Sequence, residues 1–99
     1  MIYKLKFLPS ALKEWRKLAP EIRAQFKAHL RRRLENPHVD SARIRGYKNH
    51  YKIKLRSLGY WVVYEVEEKE IAVYVITAGR RDSIYKTLKR RRSISRTPS

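Results

Sequence analysis

The 99-residue chain has no cysteine. That absence excludes a disulfide-stapled scaffold, a thiolate zinc site and a cysteine nucleophile, and it fits a reducing compartment, so a cytoplasmic location is expected. Acidic residues are scarce, with 9 Asp and Glu against 25 Lys and Arg and a net charge of +16. Self-repulsion on that scale opposes compaction, and a polyanionic partner, nucleic acid first, is its natural counterweight. No apolar run approaches the roughly 20 residues of a spanning helix, and the opening MIYKLKF lacks the apolar stretch and cleavage site of a signal peptide, so no membrane partner is expected. The chain also lacks a GxxxxGK[ST] phosphate loop, an HExxH helix and a GxSxG elbow. Its histidines, His29, His38 and His50, fall at no metal-ligand spacing, so neither a metal nor another cofactor is expected.

What is present is a one-domain length with 42% hydrophobic and 11% aromatic residues, enough for one modest core. Ile2–Phe7 alternates apolar and basic residues and reads as a strand. A helical pattern follows, with Leu8, Ala11, Leu12, Trp15 and Leu18 on one face; either Pro9 lies in its first turn or Ser10 caps it. Pro20 starts a second helix in which Ile22, Phe26, Leu30 and Leu34 form the buried stripe, and Asn36-Pro37 ends it. Arg23, Lys27 and Arg31 step along another face of that helix, and a basic stripe of this kind suits a phosphate backbone. Three strands are expected at His50–Arg56, Tyr60–Val66 and Ile71–Thr77, with turns at Ser57–Gly59 and Glu67–Glu70, then a short helix carrying Ile84, Tyr85 and Leu88. The fold class is α+β: an N-terminal strand and two helices, an antiparallel sheet and a C-terminal helix. The domain is expected to occupy residues 1–88, with residues 89–99 a basic, disordered tail. Residues 1–85 keep 19 of the bases against all 9 acids, so the +10 of this part does not depend on the tail.

The segment HYKIKLRSLGYWVVYEV (50–66) carries the chemistry. Strand parity sends Tyr51, Ile53 and Leu55 to the core, and with them Tyr60, Val62, Tyr64 and Val66. The other face then gathers His50, Lys52, Lys54 and Arg56 beside Trp61, Val63 and Glu65. Like charges crowded on one strand repel, and a bound phosphate would relieve them. Crowding also lowers the proton affinity of each lysine, which lets one act as a base, while arginine stays charged and can clamp phosphate oxygens. Cleavage of RNA by its own 2′-hydroxyl needs a base, an acid and positive charge for the transition state, all of which such a cluster can supply. The same face could equally bind a polyanion without reacting.

ALKEWRKL (Ala11–Leu18), Arg45-Gly46, YKIKLRSLGY (Tyr51–Tyr60), Val63-Tyr64 and the GRRD turn (Gly79–Asp82) resemble the RelE-type toxins of the RelE/ParE toxin–antitoxin superfamily. The resemblance implies a ribosome-dependent endoribonuclease that cuts messenger RNA in the A site, without metal, leaving a 2′,3′-cyclic phosphate and a 5′-hydroxyl. It implies a cognate acidic antitoxin and a ribosomal partner. Lys52 and Lys54 match the family's paired active-site lysines, Arg81 its catalytic arginine and Arg45 a basic substrate-contacting position. Tyr85 stands for the C-terminal tyrosine, although its spacing from Gly79 is two residues shorter than usual. Trp61 departs from the pattern, because the family commonly has arginine there. A neutral indole cannot clamp a phosphate, though stacking on a base is worth about 1–3 kcal/mol. Arg56 or Arg80 is placed to compensate. The chain is therefore expected to be either an attenuated nuclease or one with a rearranged site. The alternative is a non-catalytic basic toxin, ParE-like or translation-blocking.

Overall fold

The computed structural model describes residues 2–91. The elements run β1 (Lys4–Phe7), α1 (Pro9–Lys17), α2 (Pro20–Glu35), β2 (His50–Leu55), β3 (Tyr60–Glu67), β4 (Ala72–Arg80) and α3 (Arg81–Arg90). Pro9 and Pro20 each occupy the first turn of their helix, where the missing N–H costs nothing, and Ser10 is no cap. The sheet order is β1-β4-β3-β2. β1 lies parallel to β4, while β2–β3 and β3–β4 are antiparallel hairpins. The α+β class holds, with one parallel pair at the edge of the otherwise antiparallel sheet.

Two cores lie on the two faces of the sheet. On one, Ala11 and Trp15 of α1, Leu18 just beyond it, and Phe26 and Leu30 of α2 pack on Tyr51, Ile53, Leu55, Val62, Tyr64, Val66, Val73 and Val75. On the other, Ile84 and Leu88 of α3 pack with Trp61, Val63, Ile76 and Ile44. β3 is thus covered on both sides, which is why YWVVYEV reads as a continuous apolar run rather than a clean alternation. The parity expected for β2 and β3 is observed. In the larger core the Tyr64 hydroxyl donates to Pro37 O at 2.8 Å and accepts from Arg33 at 2.9 Å. Burial, opposed by the Arg33 guanidinium, still pushes this phenol above its ordinary range.

β4 outruns its partner. β1 ends at Phe7, opposite Val75, so the β4 edge from Ile76 onward has no strand beside it. Two side chains fill that role. Glu14 of α1 accepts from Ala78 N at 3.2 Å and from Thr77 Oγ1 at 3.0 Å. Arg91 donates to Ile76 O at 3.0 Å and grips Glu14 in bidentate fashion at 2.7 and 3.0 Å. α1, the sheet edge and the end of α3 are joined at this point. The boundary expected at residue 88 therefore falls inside α3, and residues 89–91 belong to the folded unit, not to a disordered tail; residues 92–99 lie outside the described residues. No helix among the described residues is long and apolar enough to cross a membrane.

Candidate active site

The site grows out of strand register. Lys54 on β2 stands opposite Trp61 on β3, and Trp61 stands opposite Gly79 on β4. Cross-strand partners share a face, so this row places a lysine, an indole and the end of β4 side by side. Lys52, two residues along, emerges on the same face. The Lys54 Nζ lies 4.9 Å and the Lys52 Nζ 5.5 Å from the centre of the Trp61 ring. From α3, Tyr85 meets the same indole edge-on, with centroids 5.5 Å apart and planes at 78°. Arg81 opens α3, and its backbone N–H donates to Gly59 O at 2.9 Å, fixing the first turn of the helix to the β2–β3 connection. Gly59 takes a left-handed φ of 68°, which a residue without Cβ adopts at no steric cost.

Among the described residues neither Lys52 nor Lys54 forms an ion pair. The Lys54 ammonium is held below the usual lysine range, first by the charge of Lys52, then by partial burial, then by Arg56 and Arg81. Charge crowding at an accessible site is screened by salt. Raising ionic strength from about 0.01 M to about 1 M shortens the screening length from about 30 Å to about 3 Å. The Lys54 titration midpoint, followed by NMR of its side chain, is therefore expected to move up toward the ordinary lysine value as salt is added. A midpoint insensitive to salt would contradict the crowding account.

The sequence-derived candidates divide between the two faces. Lys52, Lys54, Trp61 and Tyr85 come together, with Arg56 and Arg81 close enough to act on Lys54. Arg45 is exposed in the loop before β2, next to Ile44, which packs in the same small core as Trp61. Arg80 points the other way: it shares the row of Tyr60 and lies over that ring at 5.7 Å. It is not placed to replace a phosphate clamp at Trp61. Arg23, Lys27 and Arg31 sit on α2, which packs its Phe26 and Leu30 on the opposite face of the sheet. They form a separate basic surface.

Two expectations are corrected. His50 is not part of the outward basic row. It is 1% exposed, its Nδ1 pairs with Lys48 O at 2.7 Å, and Tyr47 lies against its ring. Trp61 is no open surface aromatic, since only 8% of it is exposed and Ile44, Val63, Ile76, Ile84 and Leu88 surround it. In both cases parity identified the face correctly, but α3 and the loop before β2 cover much of that face. Among the aromatic candidates Tyr85, 44% exposed, is the one that offers area to a ligand. The Glu14–Arg91 clamp was missed altogether, because its partners are 77 positions apart and no local pattern links them.

Crowded cations on an aromatic floor, with an exposed arginine and an accessible phenol beside them, suit a phosphodiester. Comparison with known proteins gives the family. Residues 5–85 match the model of the ParE toxin of type II toxin–antitoxin systems. The chain is 46% identical over 82 residues to the mRNA interferase toxin RelE of Escherichia coli K12, covering 83% of this chain and 86% of that protein. Its fold matches an arginine-to-alanine double mutant of E. coli RelE in the free state with a TM-score of 0.85 and 42% identity, over 92% of this chain and 98% of that one. It also matches the intact E. coli RelBE toxin–antitoxin complex with a TM-score of 0.77 and 46% identity, over 79% of this chain and 95% of the matched chain. With the fold and most of the length of both chains in common, the chain belongs to the RelE/ParE family of type II toxin–antitoxin toxins, on its RelE branch.

Proposed function

We propose that this protein is the toxin of a toxin–antitoxin pair and an endoribonuclease that cuts messenger RNA in the A site of the translating ribosome. The observation that carries this reading is the convergence of Lys52 and Lys54 on the Trp61 ring, with Tyr85 on the same ring and Arg81 acting on Lys54. The relative named an mRNA interferase supports the reaction class. Ribosomes place the action in the cytoplasm.

In the proposed reaction the 2′-hydroxyl of one nucleotide attacks the adjacent phosphorus. A P–O2′ bond forms, the P–O5′ bond breaks, and the products are a 2′,3′-cyclic phosphate and a 5′-hydroxyl. Lys54, with its lowered proton affinity, takes the 2′-hydroxyl proton as base. Lys52, whose charge depresses Lys54, supplies the proton that O5′ needs. Arg81 stabilises charge on the phosphorane-like transition state, and the exposed ring of Tyr85 stacks on or orients the nucleotide. Arg45 and Arg56 bear on the flanking backbone. The α2 stripe of Arg23, Lys27 and Arg31, facing away from this site, meets ribosomal RNA.

The RelBE complex supports a protein antitoxin as partner. A net charge of +16 calls for an acidic one, whose binding weakens as salt rises. Primer extension across a single message tests the central reading. Breaks inside codons are expected when the message is translated, and none when its start codon is removed. Translation that stops while messages stay whole would mean a blocking protein instead.

A further inference from the structure

We propose that Trp61 is a positioning residue: its indole is the platform that holds Lys52 and Lys54 side by side for the reaction. This deepens the cleavage reading and rests on it. The alternative is that a tryptophan in place of a cation is simply a lesion of the site.

The geometry favours a platform. Both ammonium groups lie within cation–π range of one ring, at 4.9 and 5.5 Å, and tryptophan is the strongest such partner among the side chains. The ring itself cannot drift. Val63, Ile76, Ile84 and Leu88 pack around it, and the Tyr85 ring closes one edge. Lysine is a point charge on a flexible four-carbon stem, so two of them repelling each other would occupy many rotamers. A fixed aromatic face that attracts both heads restricts that freedom, and the apolar stems have a surface to lie along. A cation at position 61 would do the reverse, adding a third like charge beneath the pair. The ring also opposes the effect of crowding. The neighbouring charges disfavour the Lys54 ammonium, whereas the π face favours it.

Two measurements on Trp61→Leu and Trp61→Phe test this. NMR of the free protein reads the platform without any reaction. The ε-methylene protons of Lys52 and Lys54 should show ring-current shifts in the wild type, keep them in Trp61→Phe and lose them in Trp61→Leu. Single-turnover cleavage on programmed ribosomes reads the function. Trp61→Leu should lower the limiting rate about tenfold with little change in KM, the mark of misplaced groups rather than lost binding. The rising limb of its pH profile, set by Lys54 as base, should also move to lower pH by about half a unit, because the ring no longer favours the ammonium. Trp61→Phe should restore most of both. A purely structural tryptophan would leave the limb in place. The inference is overturned if the lysine shifts survive Trp61→Leu, if that variant keeps the wild-type rate and pH profile, or if Trp61→Arg cuts faster than wild type. If the wild type cuts nothing, the cleavage reading fails, and the NMR arm alone decides whether the indole holds the lysines.

Discussion

Replacing Arg81 by alanine is expected to slow message cleavage by about 10²- to 10³-fold, the usual cost of losing one preorganised donor to a transition-state charge. Its side chain is exposed at the first position of α3, and among the described residues no carboxylate holds it in an ion pair. What fixes the helix start is the backbone N–H on Gly59 O, which alanine keeps. The variant should therefore melt like the wild type, and the loss should fall on kcat rather than on folding. Arg81 is also one of the charges that depress Lys54, the smallest of them. Its removal should raise the Lys54 proton affinity slightly and move the rising, low-pH limb of the rate profile, which the base governs, to higher pH. Arg80→Ala is the control. That guanidinium lies over Tyr60 on the other face, so its loss should cost far less. Equal losses from the two variants, read by single-turnover cleavage, would remove Arg81 from the site.

The second large effect lies away from the chemistry. Glu14→Ala would leave the Thr77 hydroxyl and the Ala78 N–H without their acceptor and the Arg91 guanidinium with Ile76 O but no carboxylate, all beside an unpaired sheet edge. Thr77 is 1% exposed, and the Glu14 and Arg91 side chains are 29% and 22% exposed, so water replaces these partners only in part. Loss of one partner from such a charge-assisted network costs about 2–4 kcal/mol. In a domain of this size that is a large share of the total stability and should lower the urea midpoint by about 1–2 M. Arg91→Ala should cost less, because Glu14 keeps Thr77 and Ala78 as donors. A double-mutant cycle over the two positions should show strong coupling, and additive losses would contradict the clamp.

Much of the fold can be read in the chain because its signals are local. The four-residue steps of Ile22, Phe26, Leu30 and Leu34, the prolines at 9 and 20, and the period of two in Tyr51, Ile53 and Leu55 each specify an element without reference to the rest. The shared face of Lys52, Lys54 and Trp61 follows from the same parity. What parity does not reveal is whether a face is covered. Ile84 and Leu88 bring α3 onto the side that reads as solvent-facing, and that contact turns Trp61 from surface to floor. His50 goes under for a related reason, with Tyr47 and Lys48 of the preceding loop closing over it. Arg80 and Arg81 look interchangeable in GRRD. Only the register of β4 and the start of α3 send one to each face. The parallel pairing of β1 with β4, and the clamp that finishes the edge where β1 stops, depend on contacts far apart in sequence.

Single-turnover cleavage of a message on programmed ribosomes by the wild type and by a Lys52→Ala/Lys54→Ala double variant bears most directly on what this protein does. The side chains of both lysines can be removed without touching either core, so the variant should stay folded. The wild type should sever the A-site codon and leave a 2′,3′-cyclic phosphate, and the double variant should bind the ribosome yet leave the codon whole. Cutting by the double variant at the wild-type rate, or from the wild type a product ending in a plain 3′-hydroxyl, would contradict the assignment of the reaction to these cations.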